Sequence, residues 1–230
     1  MMTRSRLNQL AGGRTAAGFT LLAVTVTVGA CGGAPPAPGG GASGMSSPLP
    51  AGYALRLDRQ NRDRTDFVAS TSGEGDLLVH TGPAGILYRP DRTVDAGDYT
   101  LRGRFTEIDP PLGHREGFGL FVGGNRLEGD AQRYIYFLVR GDGRYLIKER
   151  NGPSTRELSN GWQPSEAVRV PSATAGAVTN ELSISVDGAR ISFACNDEPV
   201  AELPLDDLTA AGVVGVRVNH NLHVRIANLR

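Results

Sequence analysis

The sequence predicts an all-β domain, a two-sheet sandwich or jelly roll, over residues 51–230. Three observations carry this. Hydrophobicity alternates with a period of two from Gly52 onward, the apolar runs are short and bounded by Gly, Pro, Asn or Asp, and no stretch of ten or more residues sustains a 3.6-residue period. About a dozen strands in one domain of this size must close into packed layers to bury their apolar faces.

The runs follow in order. Tyr53–Leu57, Asp76–His80 and Gly85–Arg89 open the pattern, and Asp98–Ile108, Gly117–Val122, Arg133–Arg140 and Arg144–Arg150 continue it. After a looser stretch come Glu181–Val186, Arg190–Cys195, Val200–Leu203, Val213–Val218 and Leu222–Leu229. Gly141-Asp142-Gly143, Asp187-Gly188 and Asn196-Asp197 stand between runs as tight hairpin turns, because these residues tolerate positive φ. Asp206–Ala211 allows one helical turn at most. In Arg133–Arg140, Ile135, Phe137 and Val139 point one way and Tyr134, Tyr136 and Leu138 the other, so this strand lies centrally and is covered on both sides. Its second face meets either more protein or a ligand groove.

Residues 1–50 read differently. Arg4, Arg6 and Arg14 form a basic head, residues 16–28 an apolar core too short for a convincing membrane-spanning helix of about 20 residues, and Val28-Gly29-Ala30-Cys31 closes it. An aliphatic residue, two small ones and Cys resemble the bacterial lipobox. That resemblance implies residues 1–30 to be a lipoprotein signal peptide, cleaved before Cys31, with diacylglyceryl carried on the Cys31 sulfur. Two or three acyl chains anchor a protein where one binds only marginally. Residues 31–50 are, after Cys31, Gly, Ala, Pro and Ser with one Met and one Leu and without charge, a flexible tether. The expected partner is therefore membrane lipid through Cys31, and the expected location is the cell envelope, exported and facing the surface or the periplasm.

Charge excludes one class of partner. The chain holds 24 basic and 24 acidic residues, three of the basic ones within residues 1–30, so the remainder carries 21 against 24. A net negative domain lacks the basic face from which nucleic-acid affinity arises. Cys195 is the only other cysteine and alternates in phase with Ile191 and Phe193, which predicts a buried, inert thiol and no disulfide framework.

The segments Gly97–Leu101, Gly117–Gly124, Arg133–Arg140 with its Gly-Asp-Gly turn, Asn180–Asp187 and Gly212–Val218 resemble the concanavalin A-like (laminin G-like) jelly rolls. The resemblance is strongest to bacterial domains labelled 3-keto-disaccharide hydrolase-like. It implies carbohydrate as the ligand class, while function within such a fold depends on the site it carries.

A catalytic set is not legible. Glu107-Ile108-Asp109 matches the first half of the Glu-x-Asp-x-(x)-Glu strand of retaining glucanases, whose carboxylates stand about 5 Å apart on one face. Pro110-Pro111-Leu112 then stands where the last Glu should be, and two prolines stop a strand. No histidine spacing demands a metal, and no cofactor motif occurs. A ligand surface is more legible. Tyr134 and Tyr136 share a face with Arg140, and loops holding His114, Glu116, Asn125, Arg126, Trp162 and His220 could border it. The reading is a non-catalytic, tethered jelly roll that binds carbohydrate or another envelope ligand. The alternatives are a keto-disaccharide hydrolase or lyase of the same fold, and a protein-binding scaffold, which requires an exposed apolar patch.

Overall fold

The computed structural model describes residues 49–110, 113–172 and 176–230. Cys31, the expected signal and the expected tether up to residue 48 lie outside these residues; Leu49, assigned to the end of the tether, is described and packs against the core. Fifteen strands follow in chain order: β1 Ala54–Leu57, β2 Phe67–Thr71, β3 Leu77–Thr81, β4 Gly85–Val94, β5 Tyr99–Ile108, β6 Gly117–Asn125, β7 Arg133–Arg140, β8 Arg144–Asn151, β9 Ser154–Glu157, β10 Gln163–Pro164, β11 Ala177–Asp187, β12 Arg190–Cys195, β13 Glu198–Pro204, β14 Gly212–Val218 and β15 His223–Ala227. They form two antiparallel sheets. One runs β1-β4-β14-β6-β7-β8-β10, with β9 also paired to β8; the other runs β13-β12-β11-β5-β15-β3-β2.

The all-β reading holds, and the hairpins show why. Arg140 pairs with Arg144 across Gly141-Asp142-Gly143, and Gly143 takes φ 78°, the three-residue loop with a left-handed last residue. Cys195 pairs with Glu198, and both intervening residues, Asn196 and Asp197, have positive φ (53° and 66°), as a type I′ turn requires. Asp187 pairs with Arg190, so the loop residues there are Gly188 and Ala189, with Gly188 supplying φ 57°. Asp206–Ala211 contains a turn closed by the Leu208 amide on the Leu205 carbonyl and no helix.

The inner faces interdigitate. Phe118, Leu120 and Val122 of β6 and Ile135, Phe137 and Val139 of β7 meet Leu101 and Phe105 of β5, Leu182 and Ile184 of β11 and Phe193 of β12. Phe137 and Phe193 cross from sheet to sheet in an edge-on contact at 5.5 Å, and Phe105 stacks on Phe118 at 5.8 Å. Cys195 lies in this core as expected. Its thiol contacts the Ala167 carbonyl at 3.4 Å, and burial pushes its pKa up to about 12.

The other face of the first sheet is also filled. Tyr134, Tyr136 and Leu138 join Phe121, Ile86, Tyr88 and Leu127 in a second buried cluster, with Trp162 packed against it. Of the two alternatives for the central strand, this side is protein and not an open groove floor.

Candidate functional site

The second cluster is capped by charge. Gly215 and Arg217 of β14 face outward between apolar neighbours that point into the core. Arg217 is 7 % exposed, and its guanidinium lies over the Tyr136 ring at 4.7 Å. Its two terminal nitrogens donate to the Asp58 carboxylate at 2.7 and 2.6 Å, and one also donates to the Tyr134 hydroxyl at 3.2 Å. The Asp58 amide donates to the Ala84 carbonyl at 3.0 Å, which holds this residue beside the start of β4 and above the sheet. Burial opposes charge on both partners. At Asp58 the hydrogen bonds and charge of Arg217, helped by Arg150, more than offset it and hold the carboxyl below its ordinary range. At Arg217 the Tyr134 oxygen and Asp58 do the same, and its pKa rises. Tyr136, by contrast, is pushed up to about 12, first by burial.

Two clefts flank Asp58 and Arg59, each of about 660 Å³. The first is bordered by Arg62, Asp63, Asp66, Pro83, His220 and Asn221. The second is bordered by Arg56, Gln60, Asp130, Gln132 and Arg150. Their walls are planar donors and acceptors set close together, suited to hydroxyl-rich ligands.

The expected site residues divide between this face and elsewhere. Tyr134 and Tyr136 are 1 % and 5 % exposed, so they hold Arg217 from beneath and offer no ring face to a sugar; this corrects their expected role as a contact platform. Arg140 and Trp162 do come together, the guanidinium 4.3 Å from the ring centroid, with the Arg140 Nε bonded to Asp142 at 2.6 Å. Trp162 lies so close over Gly117 that a Cβ there would stand 2.6 Å from its ring. Glu116 immediately precedes Gly117 in the chain and is 3.6 Å from His220, which rims the first cleft. Asn125 and Arg126 lie at the opposite end of β6, where Asn125 bonds the Gly123 and Ala211 carbonyls.

His114 is turned away from this face. Its Nδ1 is 3.0 Å from Glu107 Oε1, and Glu107 points between the sheets in phase with Leu101 and Phe105. Glu107 is 2 % exposed, and burial raises its pKa despite His114. Asp109 takes φ 49°, so the strand alternation ends before it and no paired carboxylates face a ligand there. Among the described residues no three His, Cys, Asp or Glu side chains gather as metal ligands. Asp58, Arg217, Arg56 and Arg150 escaped sequence reasoning. The one available sign was Arg217 itself, a charge inside Val213–Val218.

No protein-family model and no curated sequence matches the chain. Solved structures do. The carbohydrate-binding module CBM66 from Bacillus subtilis superposes with a TM-score of 0.55 at 11 % identity, covering 79 % of this chain and 98 % of that one. A Bacillus subtilis protein of unknown function with a galectin-like fold gives 0.52 at 11 % identity, with 76 % and 86 % covered. The fold is a concanavalin A-like jelly roll. The potassium-bound carbohydrate recognition domain of Emp46p is similar too, with a TM-score of 0.51 at 11 % identity over 76 % of this chain and 85 % of that one. At such identity the likeness to these jelly rolls is one of fold, and the site must speak for function.

Proposed function

We propose that this chain is a lipid-tethered, non-catalytic carbohydrate-binding jelly roll of the cell envelope. The observation that carries the binding reading is the pair of polar clefts on either side of Asp58, built on the buried Arg217 ion pair. Amides, guanidiniums and carboxylates fixed at that spacing match sugar hydroxyls, which both donate and accept. Fold likeness to a carbohydrate-binding module and a carbohydrate recognition domain supports the same class. Glu107, the carboxylate in glucanase-like sequence context, is enclosed between the sheets, which weighs against cleavage there. A scaffold docking through an apolar patch is also disfavoured: among the described residues Val170, at 51 % exposure, is the only exposed large apolar side chain.

The binding reading is tested on a glycan array followed by calorimetry with the purified full chain. Saturable binding to a glycan class, weakened by Arg62→Ala or Gln60→Ala, supports it; no binding at millimolar ligand overturns it. The anchor rests on the lipobox-like Val28–Cys31 and the uncharged tether after it. Labelled palmitate should enter the protein in a bacterial host, and Cys31→Ser should abolish the label and release the protein from membranes. Label retained by the Cys31→Ser variant would sink the anchor.

A further inference from the structure

The second cleft is richer in cations than its ion pairs account for. Arg56 is 8 % exposed, yet its nearest carboxylate is Asp130, 3.6 Å away on a side chain fully in solvent. Its Nε is buried and has no hydrogen-bond partner among the described residues. Arg150 is 13 % exposed, donates to the Pro153 carbonyl at 3.3 Å, and stands 3.8 Å from an Asp58 carboxylate that Arg217 already engages at both oxygens. Three guanidiniums, those of Arg56, Arg150 and Arg217, therefore share two carboxylates, one of them solvated, with Arg59 at the border of the same space.

Other arginines of the domain show what a closed arrangement looks like. Arg133 and Arg156 grip opposite oxygens of the buried Glu149, each through two nitrogens at 2.8 to 3.0 Å. Nothing comparable quenches Arg56 and Arg150. A desolvated guanidinium without an anion is costly, and its planar donors match an oxyanion in two-point contact. The whole chain carries equal numbers of basic and acidic residues, so this is a local feature and not a general field.

We propose that the cleft between Arg56 and Arg150 receives an oxyanion carried by the glycan, a uronate carboxylate or a sulfate or phosphate ester. The inference rests on the glycan-binding reading and names the ligand class within it. Arg56 and Arg150 clamp the anion, Gln60 and Gln132 border the adjoining sugar, and the Arg217–Asp58 pair fixes the floor.

Calorimetry on the full chain decides it, with tetragalacturonate, a sulfated tetrasaccharide, a phosphorylated oligosaccharide and methyl-esterified tetragalacturonate as probes. One charged class should bind, and binding should weaken with added salt. Arg56→Gln and Arg150→Gln should each weaken it roughly tenfold, the loss of one charge-assisted contact. Should Arg56→Gln fail to fold, the more exposed Arg150→Gln decides alone. Neutral and charged glycans bound equally, or folded variants that bind as the parent does, would overturn the oxyanion while leaving glycan binding intact. No binding to any glycan overturns both, and preference for an oligonucleotide of equal charge overturns the class.

Discussion

Arg217 and Asp58 close on each other through two hydrogen bonds of 2.7 and 2.6 Å across a sequence separation of 159 residues. The pair ties the loop after β1 to β14 and roofs the tyrosines beneath. Removing the carboxylate leaves the guanidinium buried and unpaired. Asp58→Ala should therefore cost about 3 kcal/mol in urea unfolding, the low end for a buried pair because Asp58 retains some contact with water. A loss under half a kcal/mol would show that the pair is not holding the loop.

Acid should weaken the domain through the same contact. The Asp58 pKa is lower in the fold than in the unfolded chain, so the unfolded state takes up the proton first. Its stabilisation is complete above the ordinary carboxylate range and disappears as pH falls through the lowered value. Unfolding followed from pH 6 to pH 2 should show a loss of stability in the parent that is smaller in Asp58→Asn.

Glu107 works in the opposite sense. Its pKa is raised by burial, so its protonated form suits the fold. Its contribution is full below the unfolded carboxylate pKa and is lost as pH rises through the raised folded value. Glu107→Gln, which keeps an oxygen for His114, should be more stable than the parent at pH 7 and equal to it below pH 4. A variant less stable at pH 7 would mean that the charged pair with His114 is favourable.

How much of this was readable beforehand follows from burial. Strands with one or two packed faces, such as β7, β11 and β12, declare themselves by alternation. Phe67–Thr71 was missed because only Phe67 and Ala69 are buried and a charged loop precedes them. All four residues of Ser154–Glu157 are exposed, so no apolar period marks that strand. Tyr134 and Tyr136 could be assigned to one face, but what covers that face depends on long-range partners. Asp58 lies in a run of charges, Asp58–Asp66, with nothing local to separate it from its neighbours. Only the pairing of β1 with β4, and of β4 with β14, brings it to Arg217.

Trp162 is the sole tryptophan, so its fluorescence reports on the outer face of the first sheet. Gly117→Ala would place a methyl group 2.6 Å from the indole, and the far end of that side chain can swing outward. The variant should fold with a loss of about 1–3 kcal/mol, as overpacking costs. Its emission should shift to the red as the ring leaves Gly117 and Arg140 for water. An unshifted spectrum would place the indole elsewhere in solution.

The Cys195 thiol supplies a clock for opening of the core. It lies among Phe193, Ile184 and Leu182, its pKa is pushed up to about 12 by burial, and the thiolate is the reactive form. Two barriers thus protect it, access and ionisation, and both vanish only when β12 leaves the sandwich. A disulfide reagent at pH 8 should leave Cys195 unmodified in the native domain and react in full in denaturant. At intermediate urea the labelling rate of a Cys31→Ser chain should track the unfolded population. Rapid labelling without denaturant would mean that β12 detaches locally, and that the Phe137–Phe193 contact does not lock the two sheets together.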